Sequence, residues 1–295
     1  MNVPEKIWQL GKERQSARAA RDFTRADQIR DELALLGWEI FDSAGTFELQ
    51  EKIRYEVAEN FRNLKPTVDF GEIAIAIIVS GYQGDAVATV KSIRNYFAGP
   101  LVLLSLGDVG ALAEVIDENT TVIKVVEKCG WGEAANALLA NVISHFIVIL
   151  DPSTRFDGDA ITPVLAKLRE GSFSAVGWRG GLINVEDDWR TVDDRGPGEV
   201  DVLFSYFLAL DRHAALEVGG FNPRAIYYRN ADLEFSLRLR HASGHLLQMD
   251  LPLSQDRHHG YHDVDDDFRE LQSKKNYDRI LSRFRGKNAI LSPRR

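Results

Sequence analysis

Between residues 73 and 177, short apolar runs at 73–79, 101–104, 121–126, 146–150 and 173–177 alternate with stretches of helical character at 86–96, 109–116, 133–143 and 160–170. The runs are too short to cross a bilayer and too uniformly apolar to leave one face in water, so they predict strands buried on both sides. With helices as the crossovers, the chain is expected to form a mainly parallel sheet covered on both faces, an α/β fold whose chemistry lies at the carboxyl ends of the strands. Beyond it, residues 202–210 predict a further strand and 231–242 a helix. The intervening stretch from 180 to 200 holds Asp187, Asp188, Asp193 and Asp194 and is expected to be a long, functional loop.

Upstream, Phe23, Ala26, Ile29, Leu33 and Leu36 recur every three or four residues and predict one apolar helical stripe, with Asp22 as cap and Gly37 as stop. Residues 4–20 are rich in helix formers, which makes a helical hairpin. The segments 38–42 and 46–49 predict a small β-hairpin. Ile53, Val57, Phe61 and Leu64 predict a linking helix that stops near Pro66. The expected division is therefore a hairpin unit over 1–50, a linker helix over 51–68, an α/β domain over 69–265 and a basic helical tail over 266–295.

Composition narrows the function classes. Of 295 residues, 27% are charged and 44% hydrophobic, as in a soluble globular chain. The 36 basic and 44 acidic residues leave a net charge of −8, which disfavours a broad electrostatic grip on nucleic acid or anionic membrane. Cys129 is the only cysteine, which excludes a disulfide framework and cysteine-rich zinc motifs. With no apolar leader and no span-length run, the expected location is cytoplasmic.

Two segments resemble known families. Residues 14–49, with Ala17-Arg18-Ala19-Ala20-Arg21-Asp22-Phe23, Ala26-Asp27-Gln28-Ile29-Arg30-Asp31-Glu32-Leu33 and Leu36-Gly37-Trp38-Glu39-Ile40-Phe41-Asp42, resemble the carboxyl-terminal segment of cysteinyl-tRNA synthetases. A hairpin used for packing or homo-oligomer formation and one that contacts tRNA both fit. The larger resemblance begins at Ile77-Ile78-Val79-Ser80-Gly81-Tyr82-Gln83 and extends to about residue 285. There Asn136, the strand end Leu150-Asp151-Pro152-Ser153, Gly219-Gly220-Phe221, and Asp232-Leu233-Glu234 followed by Arg238 stand in the order found in family 2 glycosyltransferases of the GT-A fold.

That resemblance implies a nucleotide-sugar donor, an acceptor hydroxyl and inversion at the anomeric carbon. It assigns donor contacts to Ser80, Tyr82, Ser105, Asn136, Asp151 and Ser153, and a divalent cation, Mg²⁺ or Mn²⁺, to Asp151 and His258. Ser153 stands where the family has the second acid of Asp-x-Asp, Ser105 where an aspartate commonly reads the base, and Ala231 where its late acidic motif begins. Arg257, Lys274 and Lys275 offer alternative positive charge for a phosphate.

Sugar transfer requires a base for the attacking hydroxyl, and Asp232, at a helix start after a glycine turn, is the candidate. A helix-capping carboxylate would explain the same position. Trp178, Trp189 and Glu234 are candidate acceptor contacts, with core packing the other reading of the two tryptophans. Two rival functions remain. Gly130-Trp131-Gly132-Glu133-Ala134-Ala135, with Asp151 some twenty residues on, fits a dinucleotide-binding fingerprint and hence an oxidoreductase. The motif departures fit a non-catalytic module that binds a sugar nucleotide or a partner.

Overall fold

A computed structural model describes residues 3–43, 45–52, 54–66, 69–255 and 264–294. The chain divides into two compact units, Met1–Arg54 and Tyr55–Arg295. In the first, helices α1 (Glu5–Ala19) and α2 (Phe23–Leu35) precede the antiparallel strands β1 (Trp38–Ser43) and β2 (Thr46–Glu51). Asp22 accepts the Arg25 N–H at 3.0 Å and so caps α2. Ile7, Leu10, Ile29, Leu33 and Trp38 form the core of this unit. The expected stripe is only partly buried: Ala26, Ile29 and Leu33 face inward, whereas Phe23 and Leu36 are exposed. Arg14 is buried and forks onto Asp42 at 2.7 and 3.2 Å, a hydrogen-bonded pairing that lowers the Asp42 carboxyl below its ordinary range.

The second unit is built on a mixed sheet. Its elements in chain order are β3 (Glu56–Ala58), β4 (Ile73–Val79), α3 (Gln83–Arg94), β5 (Leu101–Ser105), β6 (Thr120–Val125), α4 (Trp131–Asn141) and β7 (Phe146–Leu150). There follow β8 (Thr154–Phe156), α5 (Ile161–Arg169), β9 (Ala175–Gly177), β10 (Gly180–Ile183), β11 (Val192–Asp193), β12 (Gly198–Val200), β13 (Val202–Leu203) and β14 (Phe207–Asp211). The last are α6 (Arg212–Glu217), α7 (Ala231–His241), β15 (Leu246–Gln248), β16 (Leu253–Gln255) and α8 (Asp266–Phe284). The main sheet runs β12-β15-β9-β14-β7-β4-β5-β6-β3, with β3, β6, β5, β4 and β7 parallel. β14 is antiparallel to both β7 and β9.

Every residue of β4 is buried. Ile73, Ile75, Ile77 and Val79 pack with Val90 of α3 and Val164 of α5, and Ala74, Ala76 and Ile78 pack with Leu138 of α4 and Phe235 of α7. Alternate side chains thus serve two separate cores, as the uniformly apolar runs require. The chain steps outward from β4 to β5 and β6, then returns through α4 to β7 on the other side of β4. The crevice at the carboxyl ends of β4 and β7 is therefore the topological switch point of the sheet.

Three expectations are corrected. The described residues within 51–68 do not form a linker helix: β3 pairs in parallel with β6 from Glu56↔Ile123 to Ala58↔Val125, followed by a short 3₁₀ turn at Phe61–Asn63. Covering the open edge of β6 outweighs the three- and four-residue spacing of apolar side chains. The 180–200 stretch is not one loop but carries β10, β11 and β12. The strand expected over 202–210 is broken into β13 and β14, which belong to different sheets. Buried Asp201 accepts the Ile183 N–H at 2.8 Å, which fixes β10 beside this break.

Candidate active site

The switch-point crevice is a cavity of about 350 Å³. Ser80 and Gly81 after β4 and Asp151 and Pro152 after β7 line one side, and Cys129, Trp131, Tyr227 and Tyr228 line others. Asp151 is positioned by the turn it begins. Its Oδ1 accepts the Ser153 N–H at 2.8 Å and the Ser153 hydroxyl at 2.6 Å, while its own N–H donates to the Tyr206 carbonyl at 3.1 Å. Burial, reinforced by Glu133 and Glu127, pushes the Cys129 thiol up to about 11, so at neutral pH the cysteine contributes a small apolar wall rather than a nucleophile.

A second cavity, of about 480 Å³, shares Tyr228 with the first and is lined by Asp232, Arg190, Arg229, Trp189, Tyr206 and Tyr277 among others. Asp232 lies inside the first turn of α7, after Asn230 at the N-cap. Its Oδ2 accepts the Ser205 N–H at 2.9 Å and hydroxyl at 3.2 Å, and its Oδ1 accepts the Leu233 N–H at 2.9 Å. The carboxylate therefore ties α7 to the Ser205 segment and is more than a local helix cap. Burial raises its pKa to about 6 against the lowering pull of these hydrogen bonds. That value suits a base operating near neutrality. Burial raises the phenols of Tyr206, to about 12, and of Tyr228, so both remain protonated donors.

Several expected contacts are directed elsewhere. Asn136 accepts the Phe221 N–H at 2.7 Å and donates to the Phe221 carbonyl at 2.9 Å, so it clamps the glycine turn instead of facing the switch-point cavity. Glu234 is buried, with its two oxygens accepting from Asn222 Nδ2 at 2.9 and 3.0 Å and its Oε2 in an ion pair with Arg279 at 3.5 Å, and it lines neither cavity. Ser105 is buried and donates into its own turn, to the Gly107 and Asp108 carbonyls at 3.3 and 3.2 Å. Ser153 is buried against Asp151, and Tyr82 is exposed in a left-handed conformation at the start of α3. Trp178 is in the apolar core, while Trp189 does line the second cavity.

Among the described residues, no group of three histidine, cysteine, aspartate or glutamate side chains is placed to hold a metal. His258 and Arg257 lie outside the described residues. Lys274 pairs with Asp278 at 2.7 Å, and neither it nor Lys275 lines either cavity.

The dinucleotide reading is overturned. The N–H groups of Trp131 and Gly132 at the start of α4 donate to the carbonyls of Ile226 and Ala225 at 3.0 and 2.8 Å, so the helix end is not open to a pyrophosphate. A Cβ on Gly132 would lie 2.2 Å from the Asn222 carbonyl oxygen. The glycine spacing serves the close approach of the 222–226 segment.

The contribution of α8 was not foreseen. Asn276, buried on this helix, donates to the carbonyls of Tyr227 and Arg229 at 2.9 and 2.7 Å, and the Tyr277 hydroxyl donates to the Trp189 carbonyl at 2.7 Å. With Ile280 and Phe284 in a core cluster, α8 is an integral wall of the second unit and not a solvated tail. The spacing of Asn276, Ile280 and Phe284 was the available signal.

No protein-family model and no curated protein matches the sequence. Solved structures do match the fold. GalNAc-T7 with UDP, GalNAc and Mn²⁺ superposes with a TM-score of 0.55 at 14% identity, covering 72% of this chain and 47% of that one, so this chain spans about half its length. The mannosyltransferase PcManGT from Pyrobaculum calidifontis, in complex with GDP-Man and Mn²⁺, superposes with a TM-score of 0.55 at 12% identity, covering 77% of this chain and 67% of that one. Both are GT-A glycosyltransferases, and this chain has that α/β fold, preceded by a small helical hairpin unit.

Proposed function

We propose that the protein transfers a sugar from a nucleotide-sugar donor to an acceptor hydroxyl. The observation that carries this reading is the pairing of two cavities through one hydrogen-bonded couple: Ser205 lines the switch-point cavity, and Asp232, bonded to it, lines the other. A donor would occupy the first and an acceptor the second. As the acceptor oxygen bonds to the anomeric carbon, the bond from that carbon to the diphosphate breaks and Asp232 takes the hydroxyl proton. Attack from the side opposite the leaving group inverts the anomeric centre. Asp151 is the described carboxylate at the donor end.

The same observation favours a second reading, a module that binds a sugar nucleotide without turning it over. A thermal-shift panel of nucleotide sugars, with and without Mn²⁺, finds the ligand, since one present at one hundred times its Kd adds about 2.7 kcal/mol of stability. Release of free nucleotide in the presence of acceptor then separates the readings. Binding without turnover across a broad acceptor panel would leave only the module.

A further inference from the structure

The geometry points to an anionic acceptor: the cavity beside Asp232 takes a hydroxyl compound that carries a carboxylate or phosphate, held by Arg229 with Arg190 as a second cation. The word acceptor rests on the transferase reading, whereas the anion site does not.

Several guanidinium groups of this unit pair with acids, as Arg169 with Glu72, Arg240 with Glu199, Arg279 with Glu234 and Arg285 with Asp188, and others, such as Arg212 and Arg294, donate to backbone carbonyls. Arg229 and Arg190 are the arginines that line the Asp232 cavity; both are exposed, and among the described residues neither side chain makes a hydrogen bond or a close ion pair. The Arg229 charge is felt by the Tyr206 phenol. Arg190 acts at longer range on Asp187, whose carboxylate already accepts the Thr191 hydroxyl and the Arg190 N–H.

The backbones that carry these side chains are held. Asn276 donates to the Arg229 carbonyl at 2.7 Å, and the Tyr277 hydroxyl donates to the carbonyl of Trp189, the residue before Arg190. α8 therefore holds the backbone from which both arginine side chains extend. A guanidinium matches the paired oxygens of a carboxylate or phosphate, and the Trp189 and Tyr206 rings nearby offer flat apolar surface to a ring-bearing ligand. A neutral acceptor would gain nothing from the charge of either cation.

Glucuronate, glucose 6-phosphate and glucose share a ring and hydroxyls but differ in charge, and each is titrated calorimetrically into the full chain. The expected result is that one or both anions bind at least about tenfold more tightly than glucose, and that Arg229→Gln removes this advantage, with a smaller loss for Arg190→Gln. The two anions distinguish carboxylate from phosphate. UDP and GDP affinity and the melting temperature should not change in either variant. Equal affinity for glucose and both anions, no detectable binding of either anion, insensitivity to Arg229→Gln, or displacement of the anion by UDP would overturn the inference. Charge-selective binding that depends on Arg229, without glycosyl transfer from any donor, would support the anion site while removing the transferase reading.

Discussion

The Ser205 N–H donates to Asp232 Oδ2 at 2.9 Å, so a residue on the wall of the switch-point cavity holds the carboxylate that lines the other one. Replacing that carboxylate with an amide tests its chemistry while keeping its size. Asp232→Asn is expected to retain donor affinity and lower turnover by roughly 10² to 10⁴, the usual contribution of a positioned base. Because the ionised form accepts the proton, kcat/KM should be level above about pH 6 and fall tenfold per unit below it. Stability shifts the opposite way. A carboxyl raised by folding contributes most when protonated, below about pH 4, and that contribution is lost as pH rises through about 6. A rate profile with no break near 6, or full turnover in Asp232→Asn, would remove Asp232 as the base.

Asn136 predicts a loss of stability rather than a specific loss of donor contact. Asn136→Ala would strand the Phe221 N–H and carbonyl, at a cost of about 2–4 kcal/mol. In a domain of this size that lowers the melting temperature by roughly 5–15 °C. A near-unchanged melting temperature with donor binding abolished would reverse this assignment and restore Asn136 as a donor contact.

Ser153 offers a test of metal use. Ser153→Asp places a second acid beside Asp151, whose Oδ1 now accepts the Ser153 hydroxyl at 2.6 Å. Without a cation two adjacent carboxylates repel, so the variant should melt below the parent and recover on addition of Mn²⁺. The parent should respond less to Mn²⁺ in the absence of nucleotide. An equal Mn²⁺ response in both proteins would mean that the ligands lie elsewhere, with His258 the first to substitute.

The boundary between the units can be tested by where the chain is cut. A chain beginning at Tyr55 keeps β3 and buried Ala58 and Leu64 and should fold and bind donor. One beginning at Val68 strips β3 from β6 and exposes a sheet edge, and is expected to aggregate or melt well below the longer form. Sedimentation and thermal melting of the two decide it. Comparable behaviour would show that β3 contributes little.

The sequence by itself determined the layer architecture, because uniformly apolar runs such as Ile73–Val79 have no stable place except inside a sheet covered on both faces. It also placed Ser80 and Asp151 at strand ends, whereas the switch point between those strands comes from their order in the sheet. Tertiary structure decided what each polar side chain does there. Asn136, Glu234 and Ser105 have the residue types that sites use, yet backbone groups claim Asn136 and Ser105 and the Asn222 side chain claims Glu234, and a buried partner must be satisfied before a ligand can be. Glycines at 130 and 132 fit a phosphate-binding pattern, but the 222–226 segment occupies the helix end, a contact between positions some ninety residues apart that no local pattern carries. Asn276 and Tyr277 sit in the stretch expected as a basic helical tail, and only the packing of α8 onto α7 brings them to the backbones of Arg229 and Trp189. Local pattern fixes which faces are buried, while the pairing of individual donors and acceptors depends on which distant segments those buried faces bring together.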